Sequence, residues 1–409
     1  MIRHASPGRP PLPRLLAFLL LSACRPGGGD AETVVVRDSA GVEIVESRGA
    51  AWTEATRWRL SSEPTLQIGE VDGADGYRFV RIASALRGSD GVIAVADAGR
   101  HQVRFYDGQG VFLRAAGGEG EGPGEFRQMG SAFQLLPGDT AVAYDIQLRR
   151  FSFFDRDGRL VGSSGFRWSP DAGSPWPLGV LGDGSVLITI GSTVVQGQAK
   201  EGMVRKPAAY LRTTAEGNVL DTVAVVPGGE QLVTLEGGGL TVIPPLFGRY
   251  PVHAFRGDQV AIGSNDAYEV GVYSPDGRLR RVIRRALQPR PVTGSDWDAQ
   301  VARNLAGMDP EWRHGLEAIY AKMPRPAAMP YYSAALFDDV GNLWLESFRA
   351  PADSRSVWTV FDPKGRMLGE VPVPDGFRPT HIGDDFVLGV GKDDLDVEYV
   401  RRYALLKGG

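Results

Sequence analysis

Residues 91–126 read GVIAVADAGRHQVRFYDGQGVFLRAAGGEGEGPGEF, a stretch in which three short strands and a crossover follow one another. The apolar run 92–96 is closed by Asp97, and the run 103–106 by Asp107 and Gly108. Residues 111–115 follow Gly110, and a Gly-rich segment then ends in Pro123, Gly124, Glu125 and Phe126. Asp and Gly set such turns because an Asp side chain bonds its own backbone and Gly accepts a left-handed φ. Short β-rich runs at this spacing predict an all-β meander.

The unit recurs. A Gly or Asp turn followed by a β-rich run stands at 91–95, 139–143, 184–188, 258–262, 341–345 and 384–388. Each run has a short strand before it and an apolar or aromatic strand after it, and five units continue into a fourth strand. This repetition predicts a six-bladed β-propeller of four-stranded blades. The sixth unit reaches Gly409 without its fourth strand. Residues 66–69 and the following VDGADGYRF copy the fourth strand and crossover of the first unit, 113–117 and EGEGPGEF. The N-terminal segment is therefore expected to complete the last blade and close the ring, which removes exposed sheet edges. With strand, turn and crossover matching in order (VAD, then H-Q-V-R-F-Y-D, then G-P-G-E-F), residues 91–126 also resemble an NHL repeat. That resemblance implies a propeller blade and leaves the activity open.

The chain has 409 residues, 43% hydrophobic and 23% charged, with 54 Gly and 28 Pro, which suits a turn-rich globular fold. Its net charge is −4, and without residues 1–23, which hold Arg3, Arg9 and Arg14 and no acid, it is −7. A mildly acidic protein is a poor nucleic-acid binder. Residues 1–23 pair a basic start with the apolar run LLAFLLL, too short to span a bilayer, and read as an export signal. The segment ends Leu21–Ser22–Ala23–Cys24, which resembles the bacterial lipobox. The resemblance implies acylation at Cys24 and a membrane anchor, and Arg25 after the cysteine favours the outer membrane. Cys24 is the sole cysteine, so stability rests on packing. Residues 24–32 read as a tether, 33–50 as a β-hairpin turning at 39–41, and 51–409 as the propeller.

Two polar or Gly/Pro-rich stretches, 193–206 and 228–250, are expected as long loops. Residues 293–324 predict a two-helix insertion between blades four and five. Ser295 is the expected cap of the first helix, with Trp297, Val301, Leu305 and Met308 on one face. Asp309 caps the second, with Pro310 at its first position and a stripe of Trp312, Leu316, Ile319 and Met323.

In four-stranded blades the crossovers and the second-to-third-strand loops emerge on one face. This topology places His101, His253 and His381 on one rim with Asp97, Asp145, Arg149 and Glu346, giving a candidate ligand-binding set. Histidines from separate blades suit Zn, and the resemblance to amidating lyases points the same way; strand-closing Asp residues suit Ca, as in lactonase-type propellers. Asp is equally the favoured turn residue, and His101 occupies an ordinary position of the repeat. Glu119, Glu121 and Glu125 form an acidic cluster whose spacing fits no known cation loop. No nucleophile elbow, P-loop or dinucleotide fingerprint occurs. Two readings follow: a lipid-anchored, cofactor-free scaffold binding a protein, peptide or glycan at the bacterial envelope, or a metal-dependent hydrolase or lyase.

Overall fold

The computed structural model describes residues 33–168, 173–191, 200–236 and 239–408. Residues 1–32, with the expected signal, Cys24 and tether, and residues 192–199 lie outside the described residues. Among the described residues, strands gather into six sheets whose main members run antiparallel and in chain order. The first holds Ile82–Arg87, Ile93–Asp97, Gln102–Tyr106 and Phe112–Gly117. The second runs from Met129–Leu136 to Leu160–Gly165, the third from Ser174–Val180 to Gly239–Ile243, and the fourth from Val252–Arg256 to Leu279–Arg285. The fifth runs from Tyr332–Phe337 to Met367–Val373. The sixth begins with Phe377–Ile382, Phe386–Lys392 and Glu398–Leu406.

Alternation along each strand sends apolar side chains to both sheet faces, so each sheet packs on two neighbours. Phe105 of the first sheet and Phe133 of the second share one cluster, and Tyr144 and Ile188 join the second to the third. Tyr210 and Ile262, then Ile283 and Leu345, then Trp358 and Tyr403 carry the sequence on to the sixth. Leu388 and Val400 of the sixth sheet in turn pack with Ile93 and Val95 of the first.

The N-terminal segment dresses the outer edges of three sheets. Strands β1 (Val34–Ser39) and β2 (Val42–Ser47) form the expected hairpin, turning at Ala40 and Gly41, both at positive φ. It attaches edge-on, β2 lying parallel to Leu279–Arg285 of the fourth sheet. The chain then crosses the fifth sheet, where the Trp52 amide donates to the Leu368 carbonyl at 2.8 Å. A Cβ on Gly369 would stand 2.1 Å from the Trp52 ring, so only glycine permits that approach. Strands β3 (Arg59–Leu60) and β4 (Leu66–Ile68) finally pair with the C-terminal strand of the sixth sheet, Ile68 opposite Val400.

Several sequence expectations are corrected. Stretches of both expected loops are strand: Gly202–Thr213 and Val219–Glu236 continue past the blade as a ribbon, joined by Gly239–Ile243. Helices α1 (Gly294–Leu305) and α2 (Pro310–Lys322) form as expected, but Thr293, not Ser295, caps α1 through a capping box with Asp296. Asp309 caps α2 as expected. Trp312 is 76% exposed, and Tyr320 takes its place in the buried stripe. Trp297, Leu305, Tyr320 and Met323 pack against Leu232 of the ribbon, Phe247, and Ala350 of the fifth sheet's second-to-third loop. Ribbon and helices thus share one core and stand over the third to fifth sheets.

Candidate functional site

The rim formed by crossovers and second-to-third loops carries most of the expected residues, and the fold uses many of them. Asp97 ends its strand fully buried, its Oδ1 accepting the Val80 and Arg81 amides at 3.4 and 3.3 Å. Its Oδ2 lies 3.7 Å from the Nε of Arg104, which is also buried. Burial pushes the carboxyl above its ordinary range, against the pull of the Arg81 amide and Arg104. Arg104 donates onward to the Asp75 and Arg78 carbonyls at 2.9 and 3.0 Å, tying the preceding crossover to the sheet. Asp145, the counterpart in the second sheet, accepts the Arg127, Gln128 and Leu148 amides at 2.6, 2.9 and 2.7 Å. Both aspartates hold crossovers in place. Glu346 similarly accepts the hydroxyls of Ser333 and Ser356.

The Gly-rich crossover is filled by a guanidinium. Arg150 donates to the carbonyls of Glu121, Gly122 and Glu125 at 3.0, 2.7 and 2.7 Å, while the Glu125 carboxylate accepts the Gly122 amide. Gly117 enters this loop at φ 91, and a Cβ there would meet the His101 carbonyl at 2.9 Å. Among the described residues, no three His, Cys, Asp or Glu side chains converge in a way that would hold a metal ion.

The histidines do not form one set. His101 is a turn residue at φ 58 whose carbonyl accepts the Gly118 amide. His253 hydrogen-bonds the Tyr210 hydroxyl across the third and fourth sheets at 3.2 Å. It retains partial solvent contact, yet burial lowers its pKa to about 4, which keeps the ring neutral. His381 is a correction. Its strand begins at Phe377 and it pairs with Leu388, early in the next strand, so it lies at the opposite end of the sheet from Asp97. There its Nδ1 accepts the Arg87 amide at 2.9 Å and its Nε2 meets Asp339 at 3.0 Å. An accepting Nδ1 places the proton on Nε2, so both nitrogens are engaged. Asp339 also takes Arg256 at 2.9 Å, and His381 and Arg256 hold its carboxyl below the ordinary range despite burial. This chain links the fourth, fifth, sixth and first sheets. Sequence reading missed Asp339 and Arg256, whose turn positions carry no motif.

Neutral His253 makes stability pH-dependent. The unfolded chain protonates it near pH 6.5 and the folded protein only near 4, so its contribution is present above 6.5 and lost as pH falls toward 4. Between pH 7 and 4 the protein should lose about 3 kcal/mol more stability than His253→Gln. Urea unfolding at both pH values measures this, and equal losses would show a solvated ring.

What remains free on the rim lies over the second, sixth and first sheets. Arg149 is exposed at φ 50, and among the described residues its side chain takes no hydrogen bond or ion pair. Val71, Val80 and Leu395 are 57%, 62% and 81% exposed on the neighbouring crossover and loop.

No protein-family model matches the chain. Over 98 residues, 24% of its length, it is 32% identical to RING finger protein nhl-1 of Caenorhabditis elegans, and the match spans 10% of that protein. Among solved structures, a member of the DUF4221 family from Bacteroides vulgatus covers 87% of this chain and all of its own, at 10% identity and a TM-score of 0.50. Virginiamycin B lyase from Staphylococcus aureus covers 87% of this chain and 97% of its own, at 10% identity and a TM-score of 0.38. Such identities speak to fold alone. The chain has a β-propeller fold with an NHL-like repeat.

Proposed function

We propose that the protein is an exported, lipid-anchored six-bladed propeller, closed by β4, that holds a protein, peptide or glycan on its rim at the bacterial envelope. Anchoring through Cys24, in the outer membrane facing the periplasm or the surface, follows from the sequence of the first 25 residues. The cyclic order of shared cores supports six closed blades. One observation carries the binding reading: Asp97, Asp145, Glu346 and the His253 ring are engaged in the fold's own hydrogen bonds, while Val80 and Leu395 are exposed and the exposed Arg149 side chain has no hydrogen bond or ion pair among the described residues. Exposed apolar groups and an exposed cation on one rim are what a recognition surface needs.

Screening the purified full chain on peptide and envelope-glycan arrays should give a ligand whose affinity falls about tenfold in Arg149→Glu, as expected on losing a charged contact of roughly 1.4 kcal/mol. Undiminished binding in that variant would move the site off this rim. Stoichiometric Zn or Ca in the purified protein, removed by chelator with the fold intact, would favour the hydrolase or lyase reading instead.

A further inference from the structure

The hairpin β1–β2 is where the described chain begins, and it extends the fourth sheet outward to six strands, with β1 outermost. From Cys24 to Thr33 the chain has nine steps, a span of at most about 30 Å. In a six-membered ring the fourth sheet lies opposite the first. Opposed outer edges of four-stranded sheets stand at least eight strand spacings apart, roughly 40 Å. We infer that the outer edge of the fourth sheet, β1 with Val36 exposed, rests toward the lipid bilayer, and that the free rim around the first sheet points away from it. This rests on the lipid-anchored reading above.

The partner surface is bilayer lipid, and the tether rather than charge holds the edge there. Arg37 pairs with Glu46, Arg281 with Glu43, and Arg284 with Glu269, so the edge offers little uncompensated positive charge to anionic headgroups. The arrangement leaves Arg149 and Leu395 open to a partner arriving from the aqueous side. The segment after the anchor is stitched across three sheets, so the ring is held at a fixed side.

The test uses the full chain, exported, purified and placed in vesicles of phosphatidylethanolamine and phosphatidylglycerol. An acylated Cys24 has no free thiol, so a single new cysteine takes a fluorescent donor. Donors at Val36→Cys, or at Asp38→Cys on the same strand, should transfer energy to acceptor-labelled headgroups several-fold more than a donor at Leu113→Cys on the first sheet. High salt should leave that ratio unchanged. Equal or greater transfer from Leu113→Cys in acylated protein overturns the inference and leaves the anchor standing. Thiol labelling of the unsubstituted protein at Cys24 overturns the anchor, and the inference with it.

Discussion

Replacing Asp97 with Ala is expected to destabilise the protein by about 3–5 kcal/mol, measured as a shift in urea midpoint at unchanged slope. The reason is Arg104, which is 1% exposed and has its charge compensated in the interior by Asp97. Removing the carboxylate leaves a buried guanidinium held by neutral oxygens of Gln102, Asp75 and Arg78, with only the exposed Asp75 carboxylate, 3.9 Å from its Nη2, to offset the charge. The Val80 and Arg81 amides lose their acceptor at the same time. Asp97→Ala combined with Arg104→Met should recover much of the loss, because an apolar side chain of similar length carries no charge into the core. A double variant no better than Asp97→Ala would show that the amide contacts, not the ion pair, dominate. Asp145 differs: its position opposite Arg150 and its three amide donors leave no buried cation behind it, so Asp145→Ala should cost less.

The strand-and-turn units were legible because each combines a Gly or Asp turn with an apolar run, and both signals act locally. The pairing of 66–68 with the C-terminal strand was legible too, since 66–69 copies 113–117 in composition and in the crossover that follows. The ribbon was not. Pro227, Gly228 and Gly229 mark a loop by local propensity, yet Leu232 and Ile243 find partners on helices far along the chain, and that burial overrides the local signal. Trp312 fits the helical stripe by spacing but sits in the first turn of α2, outside the core that Tyr320 and Met323 reach. The site was hardest to read. A register shift between Pro379 and His381, together with a strand start at Phe377, puts His381 at the far rim, and sequence spacing carries no sign of either. The guanidinium clasps of Arg104 and Arg150 are contacts to backbone carbonyls of distant loops, which no pattern of residue types records.

The two ends of the propeller segment share one sheet. Gln67 and Arg401 are direct cross-strand partners, their side chains meet at 2.8 Å, and they stand 334 positions apart. In a Cys24→Ser background, Gln67→Cys with Arg401→Cys should form one intramolecular disulfide in the folded protein. Closing so long a loop should raise stability by about 2–4 kcal/mol, the usual yield of a well-placed bridge. Peptide mapping by mass spectrometry, with urea unfolding of the oxidised and reduced forms, reads both. A 67–401 bridge with a raised midpoint is the predicted result; two free thiols in oxidised, fully folded protein would contradict the closure.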